Sequence, residues 1–460
     1  MNECGKKFHE HKSHTFRSIP FHCYLELTDP RGYKTSLQGT VQPPRFVYNR
    51  FPAIFVKLMM TRIGLLKEGK IPPDNRVALT PAQCKWLQKT YRGLKIYVQS
   101  SGHRCFYDKE YQRAGVQVVD DLANCDILFG IKEVPVPELL ENKMYLFFSH
   151  TRKKQAHNQT LLQTIVEKKI TLIDYECMEH EDGQRIIGFG FFAGIVGAHN
   201  GMMAYGERTG QFHLQRVYKQ KDFKELIHSY FGVKLPNTKI AVTGSGRVAH
   251  GILEVMNLME VVELEKEEFI SREFSYPVYV QLKGADLYRH RENDGYNREH
   301  FHNHPEEYEC LFDQYIPHID ILMNGVYWDT NVPRLFKSAR ISDPDFRIKV
   351  IADVTDDTNG SVPINMGDQT IENPVYGVDR ISLQKTAPYQ PNSIDIMAVG
   401  NLPNELPRDA SKYFGEQLIK YILPDLLGNS SRVIEDATIV KKGKLTTRFE
   451  YLRDFAEGKL

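Results

Sequence analysis

The chain has 460 residues, 41% of them hydrophobic and 25% charged. That length favours two or three domains over a single core, and the composition is that of an ordinary soluble protein. A formal net charge of +1 excludes a nucleic-acid or membrane-surface partner held by bulk charge. The seven cysteines (Cys4, Cys23, Cys84, Cys105, Cys125, Cys177, Cys310) are scattered and form no CxxC pair. They argue against a disulfide framework and for a reducing compartment, with a cytoplasmic location as the expectation. The polar, His-rich start lacks the apolar stretch of a signal peptide.

Residues 1–58 carry scattered His, Arg and Pro without sustained periodicity, so 1–60 is expected to be an extension, disordered or an over-long start. Within it Cys4, His9, His11 and His14 echo half a zinc finger. The first Cys of the pair is missing and the histidines follow too soon, so no metal is expected there. From Met60 the pattern alternates. Strands are predicted at 61–66, 95–99, 116–119, 127–131, 145–148 and 171–175, with helices at 81–91 (Pro81 following Thr80 as N-cap) and 158–168. This alternation predicts a parallel sheet covered by helices.

The most apolar stretch, 186–205, contains five glycines together with His199 and Asn200. A membrane span needs about 20 predominantly apolar residues, and this segment reads instead as a buried helix or strand packed closely through glycine. A helix is predicted at 223–231. A second alternating block has strands at 239–243, 319–324 and 349–354 and a helix at 251–259. Residues 283–310 read as polar and irregular. The tail carries a helix at 408–427 and a strand at 437–440.

The strand 239–243 runs directly into Gly244-Ser245-Gly246-Arg247-Val248-Ala249, and an apolar helix pattern follows. This is the context a dinucleotide fingerprint requires. The first glycine permits the tight turn, the second lets backbone approach a pyrophosphate, and the small third position lets helix pack on strand. The helix N-terminus then offers free N–H groups to the phosphates. An acid about twenty residues on should hold the ribose hydroxyls; Glu263 and Glu265 stand near that distance. No Arg follows at once to receive a 2′-phosphate, which leans to NAD over NADP.

In an open parallel sheet, ligands sit beyond the carboxyl ends of the strands. Lys132-Glu133, His150-Thr151-Arg152-Lys153 and Lys67-Glu68, with Arg76 beyond Pro72-Pro73, all follow predicted strands, as does Asp356-Asp357 in the second block. A Lys and a His close together can share acid–base work. Arg76, Lys153 and Arg185 can bind carboxylates, Arg in bidentate fashion. Taken singly, each reads as an ordinary surface charge. His300, His302 and His304, with no nearby Cys, read as solvated loop and not as a metal site.

Several segments in order resemble one superfamily: Arg76-Val77-Ala78-Leu79-Thr80-Pro81, Gly130-Ile131-Lys132-Glu133-Val134-Pro135, Phe147-Phe148-Ser149-His150-Thr151, Ile173-Asp174-Tyr175-Glu176 and Gly188–Gly194. Asn324-Gly325-Val326-Tyr327-Trp328, Asp353–Thr358 and Asn401–Arg408 continue the series. The likeness is to the alanine dehydrogenase, transhydrogenase and saccharopine dehydrogenase superfamily. It is closest to L-lysine-forming saccharopine dehydrogenase and to the lysine–ketoglutarate reductase half of aminoadipic semialdehyde synthase.

The resemblance implies an α/β fold of two Rossmann-like, doubly wound parallel-sheet domains flanking a cleft. The substrate domain would be 61–196 completed by 391–460, and the dinucleotide domain 197–390. It implies interconversion of saccharopine with lysine and 2-oxoglutarate, using NAD or NADP. Lys132 and His150 match the catalytic positions. Arg76, Lys153 and Arg185 match carboxylate-binding positions, Glu133 and Glu176 acids that tune the site's charge, and Asp357 an acid facing the nicotinamide. The glycine turn and the polar 283–310 stretch depart from the fungal saccharopine enzymes and stand nearer the reductase half, so the cofactor is less determined than the reaction. An alanine dehydrogenase-like enzyme and a non-catalytic NAD-binding regulator are the rival readings. Retention of Lys132 and His150 speaks against the regulator. The partner expected is a small-molecule substrate, without nucleic acid or membrane, and the oligomeric state is open.

Overall fold

A computed structural model describes residues 60–181, 183–428 and 431–459, all within one compact unit. The expected N-terminal extension and its half zinc-finger pattern lie outside the described residues.

The first sheet holds β1 (Thr61–Leu65), β2 (Leu94–Gln99), β3 (Gln117–Val119), β4 (Ile127–Phe129), β5 (Met144–Phe147) and β6 (Thr171–Asp174), parallel in the order β6-β5-β4-β1-β2-β3. Helices cover both faces of such a sheet, so its central strands are apolar throughout. Leu128, Tyr145, Leu146 and Phe147 are fully buried. The helix α1 (Pro81–Thr90) starts on a capping box in which Thr80 and Gln83 satisfy each other's backbone N–H groups. The helices α2 (Asp108–Arg113) and α3 (Gln159–Glu167) follow. Near the end of the chain, Thr438–Lys441 returns to this sheet, antiparallel to β6.

The apolar glycine-rich passage forms one helix, α4 (Gly190–Thr209). Among the described residues no helix is long and apolar enough to cross a membrane. Its apolar face joins the second lobe's core through Phe192, Ile195, Val196 and Met202, so the crossover falls at the start of α4 and not at 196. After α5 (Phe223–Tyr230), α6 (Arg247–Leu258) crosses α4 at a pair of glycines. A Cβ on Gly194 would lie 2.0 Å from the Val248 carbonyl oxygen, and one on Gly251 2.0 Å from that of Phe191. Backbone cannot yield as a side chain would. Gly251→Ala is therefore expected to destabilise the protein by about 3 kcal/mol or more, read as a lower urea midpoint; an unchanged midpoint would contradict this packing.

The second sheet contains β7 (Lys239–Thr243), β8 (Val262–Glu263) and β9 (Val278–Leu282). Five further strands are Ile321–Asn324, Val350–Asp353, Val375–Asp379, Lys385–Thr386 and Ser393–Met397. The spatial order is β8-β9-β7, then Ile321–Asn324, Val350–Asp353, Ser393–Met397, Val375–Asp379 and Lys385–Thr386, the last two antiparallel. Thus β9, not β8, is hydrogen-bonded to β7.

Two boundaries differ from the sequence expectation. Ser393–Met397, expected within the 391–460 part of the first lobe, pairs with Val350–Asp353 because all five of its residues are buried and need the interior of a sheet. The return to the first core begins with the helix Pro407–Gln417, through Phe414 and then Leu418. The tail helix is also not continuous. A π-turn at Leu418–Ile422 precedes Leu423–Leu427, where Pro424 has no backbone N–H to extend the ladder. Residues 283–310, expected to be irregular, pair Tyr288–His290 with Tyr308–Cys310 and carry a short helix, Arg298–Asn303. Buried Tyr288, Phe301 and Tyr308 anchor that excursion.

Candidate active site

The glycine turn fits a dinucleotide. Gly244 has φ +99, and a Cβ there would approach the Gly325 carbonyl oxygen to 2.7 Å, so only glycine fits. Gly246 opens α6, and a Cβ there would meet nothing within 4 Å, leaving space for a pyrophosphate before the helix N-terminus. Ser245 is exposed, Val248 half-buried and Ala249 buried against the sheet. Arg247 points elsewhere. Its guanidinium donates to the carbonyl oxygens of Ile186 at 3.2 Å and Ile187 at 3.5 Å, tying the turn to the segment that leads into α4.

Glu263 stands exposed on the edge strand β8, separated from β7 by β9. The residue just past the strand beside the glycine turn is Lys283. Its Nζ lies 3.2 Å from Gln281 Oε1, and Gln281 Nε2 donates to the Gly244 carbonyl at 2.9 Å. The nearby Asp286 is engaged by Lys266 at 2.6 Å.

Across the cleft, the carboxyl ends of β4, β5 and β6 bring the predicted residues together. After β4 come Lys132 and Glu133; after β5, His150; after β6, Glu176. Glu133 Oε1 accepts from His150 Nδ1 at 2.5 Å, and its Oε2 accepts from Lys70 Nζ at 2.9 Å. Burial alone would raise the Glu133 carboxyl, but the His150 ring and Lys70 outweigh it and hold it at about 2. An ionised Glu133 fixes the ring proton on Nδ1, which leaves His150 Nε2 as a base. His150 sits in left-handed backbone, φ 53, and stacks on Phe148. Burial, then the charge of Arg76, lowers the Lys132 ammonium from its ordinary value, partly opposed by Asp74 and Glu133.

Glu176 is almost fully enclosed. It pairs with Arg185 and lies 4.0 Å from Lys153 Nζ, while its Oε2 has no partner among the described residues. Asp357, beyond the second lobe's strand Val350–Asp353, has its carboxyl raised by burial and by Asp353, and Lys153 opposes that shift from the other side of the cleft. The two lobes thus face each other with charge.

Arg76 is engaged within the protein. It is 3% exposed, forms a bidentate pair with Asp74 (Nε–Oδ1 2.9 Å, Nη2–Oδ2 2.5 Å), donates to Asn401 Oδ1 at 2.7 Å and lies over the Phe189 ring. Asp74 and Asn401 thus meet the Arg76 charge within the protein. Lys70, Asp74 and Lys283 were not singled out beforehand, and Asn401 only as part of a family-like segment. The only signal for the first three was position beside strand ends, which the sequence shares with many solvated residues.

His300 also differs from its expectation. With His290 and Glu307 it forms a cluster whose side-chain ligand atoms lie within 4.8 Å of one another. His290 Nδ1 accepts from the Glu292 N–H at 3.2 Å, so its proton is on Nε2 and aimed at Glu307 Oε2, 3.1 Å away. That tautomer makes a hydrogen bond where a metal would need a lone pair. His302 and His304 are exposed.

Two parallel-sheet lobes, a dinucleotide turn on one and an acid–base array on the other define the class: a two-lobed α/β protein built for chemistry beside a dinucleotide. Residues 64–196 match the family "Alanine dehydrogenase/PNT, N-terminal domain". The chain is 31% identical over 451 residues to alpha-aminoadipic semialdehyde synthase of Mus musculus, covering 86% of this chain and 48% of that protein. It is 26% identical over 390 residues to saccharopine dehydrogenase (NAD(+), L-lysine-forming) of Candida glabrata, covering 78% and 91%. In fold it is similar to a solved L-alanine dehydrogenase, with a TM-score of 0.60 and 16% identity, over 86% of this chain and 99% of the other. Residues 64–196 are thus similar to the alanine dehydrogenase/PNT N-terminal domain, and along most of its length the chain is similar to aminoadipic semialdehyde synthases and saccharopine dehydrogenases. It spans about half the length of the aminoadipic semialdehyde synthases it matches.

Proposed function

We propose that the chain is an oxidoreductase catalysing saccharopine + NAD(P)+ + water ⇌ lysine + 2-oxoglutarate + NAD(P)H + a proton. The observation that carries this is the Lys132–Glu133–His150 array at the carboxyl ends of parallel strands, facing the glycine turn's lobe. The names of relatives that align with most of this chain supply the substrate class.

When bound, a nicotinamide would supply the hydride acceptor for the glutarate α-carbon. Lys132 Nζ, its basicity lowered by enclosure, takes the proton of the secondary amine as the imine forms. His150 Nε2 takes a proton from the water that attacks the imine carbon, with Glu133 stabilising the ring as it becomes cationic. Arg185 and Lys153 supply the cationic surface that a tricarboxylate needs, and Glu176 keeps the Arg185 guanidinium in place. Gly244–Ala249 would hold the dinucleotide's pyrophosphate, and Asp357 would stand on the nicotinamide side of the cleft.

In this reading the adenosine ribose would lie beside β9, which adjoins β7, and not beside β8. Beyond β9 stands a cation, Lys283, where a carboxylate would be needed to hold two ribose hydroxyls. NADP(H) is therefore the preferred cofactor in this reading, against the lean to NAD drawn from Glu263.

Steady-state assays of lysine with 2-oxoglutarate and NADPH or NADH test the reaction. Turnover is expected; turnover only of pyruvate with ammonia would point to an alanine dehydrogenase-like enzyme, and dinucleotide binding with no turnover to a regulator. His150→Gln is expected to slow turnover about 10²-fold with cofactor affinity unchanged by fluorescence titration. A wild-type rate in that variant removes His150 from the mechanism.

A further inference from the structure

Glu68 has no part in the chemistry above, yet it touches the centre of the site. It follows β1, just before the turn Gly69-Lys70-Ile71-Pro72-Pro73. Its Oε1 accepts from the Ile131 N–H at 2.7 Å and its Oε2 from the Lys132 N–H at 2.9 Å. The sheet ladder runs out at this point. Gly130 N–H still donates to the Leu146 carbonyl at 2.9 Å, but β4 itself ends at Phe129. The next two N–H groups would otherwise have no acceptor in an enclosed place, where leaving each unpaired costs about 1–3 kcal/mol. A Cβ on Gly130 would stand 3.3 Å from Leu66 Cδ1 and 3.6 Å from Glu68 Oε1.

We propose that Glu68 is a positioning residue: its carboxylate clamps the two successive peptide N–H groups that aim Lys132 and Glu133 into the cleft. This rests on the reaction proposed above. Because Glu133 holds His150, one clamp sets the origin of the whole array. Fixing a reacting group within a fraction of an ångström is where such supports act; a misplacement of about 1 Å can cost about 10²-fold in rate.

The clamp is also sensitive to pH. The groups facing Glu68 are Asp74 and Arg76 from the loop after it, the Lys132 backbone N–H at the end of β4, and Tyr175 after β6, whose buried hydroxyl has no partner among the described residues. Burial, reinforced by Asp74, pushes the Glu68 carboxyl up to about 8, against the two N–H bonds and Arg76. The ionised form accepts on both oxygens. The protonated form turns one oxygen into a donor and loosens one of the two bonds. The clamp therefore tightens as pH rises through that value.

Glu68→Gln tests this, since an amide keeps one acceptor and opposes an N–H with its own NH2. Hydrogen exchange read on the Ile131 and Lys132 amides is expected to accelerate about ten-fold or more, as for amides that lose a partner. With lysine and 2-oxoglutarate, kcat is expected to fall about ten- to a hundred-fold, with KM and NADPH affinity changed about two-fold or less and the acid limb of the pH–rate profile lost. Glu68→Asp, which keeps the charge, is expected to recover part of the rate. Unchanged exchange overturns the clamp. Faster exchange with unchanged kcat overturns its role in positioning, and so does a loss of kcat matched by an equal loss of NADPH affinity. If wild type turns over none of these substrates, the reaction assigned above fails and the positioning role falls with it, while the exchange result still decides whether the clamp exists.

Discussion

Lys132→Met is expected to lower kcat for saccharopine oxidation by about 10²–10⁴-fold, with dinucleotide affinity unchanged. Methionine keeps the length and most of the packing of lysine but cannot carry a proton. The environment makes lysine suited to the task. Its ammonium is enclosed and lies near the Arg76 charge, and both lower its pKa from the ordinary value; Asp74 and Glu133 limit the fall. A base must be neutral to act, so the wild-type rate of saccharopine oxidation should rise with pH through the Lys132 titration. The variant should lose that limb. Stopped-flow measurement of NADPH formation against pH separates the two effects, because product release does not enter the first turnover. A Lys132→Met enzyme with the wild-type rate and the same pH dependence would remove Lys132 from proton transfer.

Lys283→Asp is expected to reverse the cofactor preference. A charge-assisted bond to a 2′-phosphate is worth about 1.5–3 kcal/mol, so kcat/KM for NADPH should fall about ten- to a hundred-fold or more. The carboxylate introduced would repel that phosphate and could accept from two ribose hydroxyls, so kcat/KM for NADH should hold or rise. Lys283 is exposed and its Nζ contacts only Gln281 among the protein groups near the glycine turn, which keeps the change local. The measurement is the ratio of the two kcat/KM values in wild type and variant, paired with direct titration of each dinucleotide. If wild type already prefers NADH, or the ratio is the same in both proteins, Lys283 does not read the ribose.

The glycine turn illustrates how much was legible in advance. A strand, two glycines, a small residue and a helix are contiguous, and each constrains its neighbour through backbone geometry alone. The structure accordingly has β7 at 239–243, Gly244 at φ +99 and an open Gly246. The strand-end residues Lys132, Glu133 and His150 were legible for a similar reason: in a parallel sheet every carboxyl end lies on one edge, so residues far apart in sequence share that edge; Glu176 came only from the resemblance. The strand β9 was missed because Val278–Leu282 follows a charged stretch, and its polar-tipped Tyr279 and Gln281 weaken the apolar signal.

Sequence by itself determined the two-lobed parallel architecture, the dinucleotide turn and the edge on which chemistry collects, because these follow from local periodicity and from the handedness of strand–helix connections. Tertiary structure decided which charge meets which. Glu263 came to stand on the edge strand, because β9 lies between β8 and β7. Arg76 met Asp74 and Asn401, the latter 325 residues away in the chain. Glu68 gained its role because two N–H groups 63 and 64 residues away lacked a strand partner. Pairings of this kind depend on the order of strands and on which buried groups remain unsatisfied once the core is packed, and neither is written in the spacing of residues along the chain.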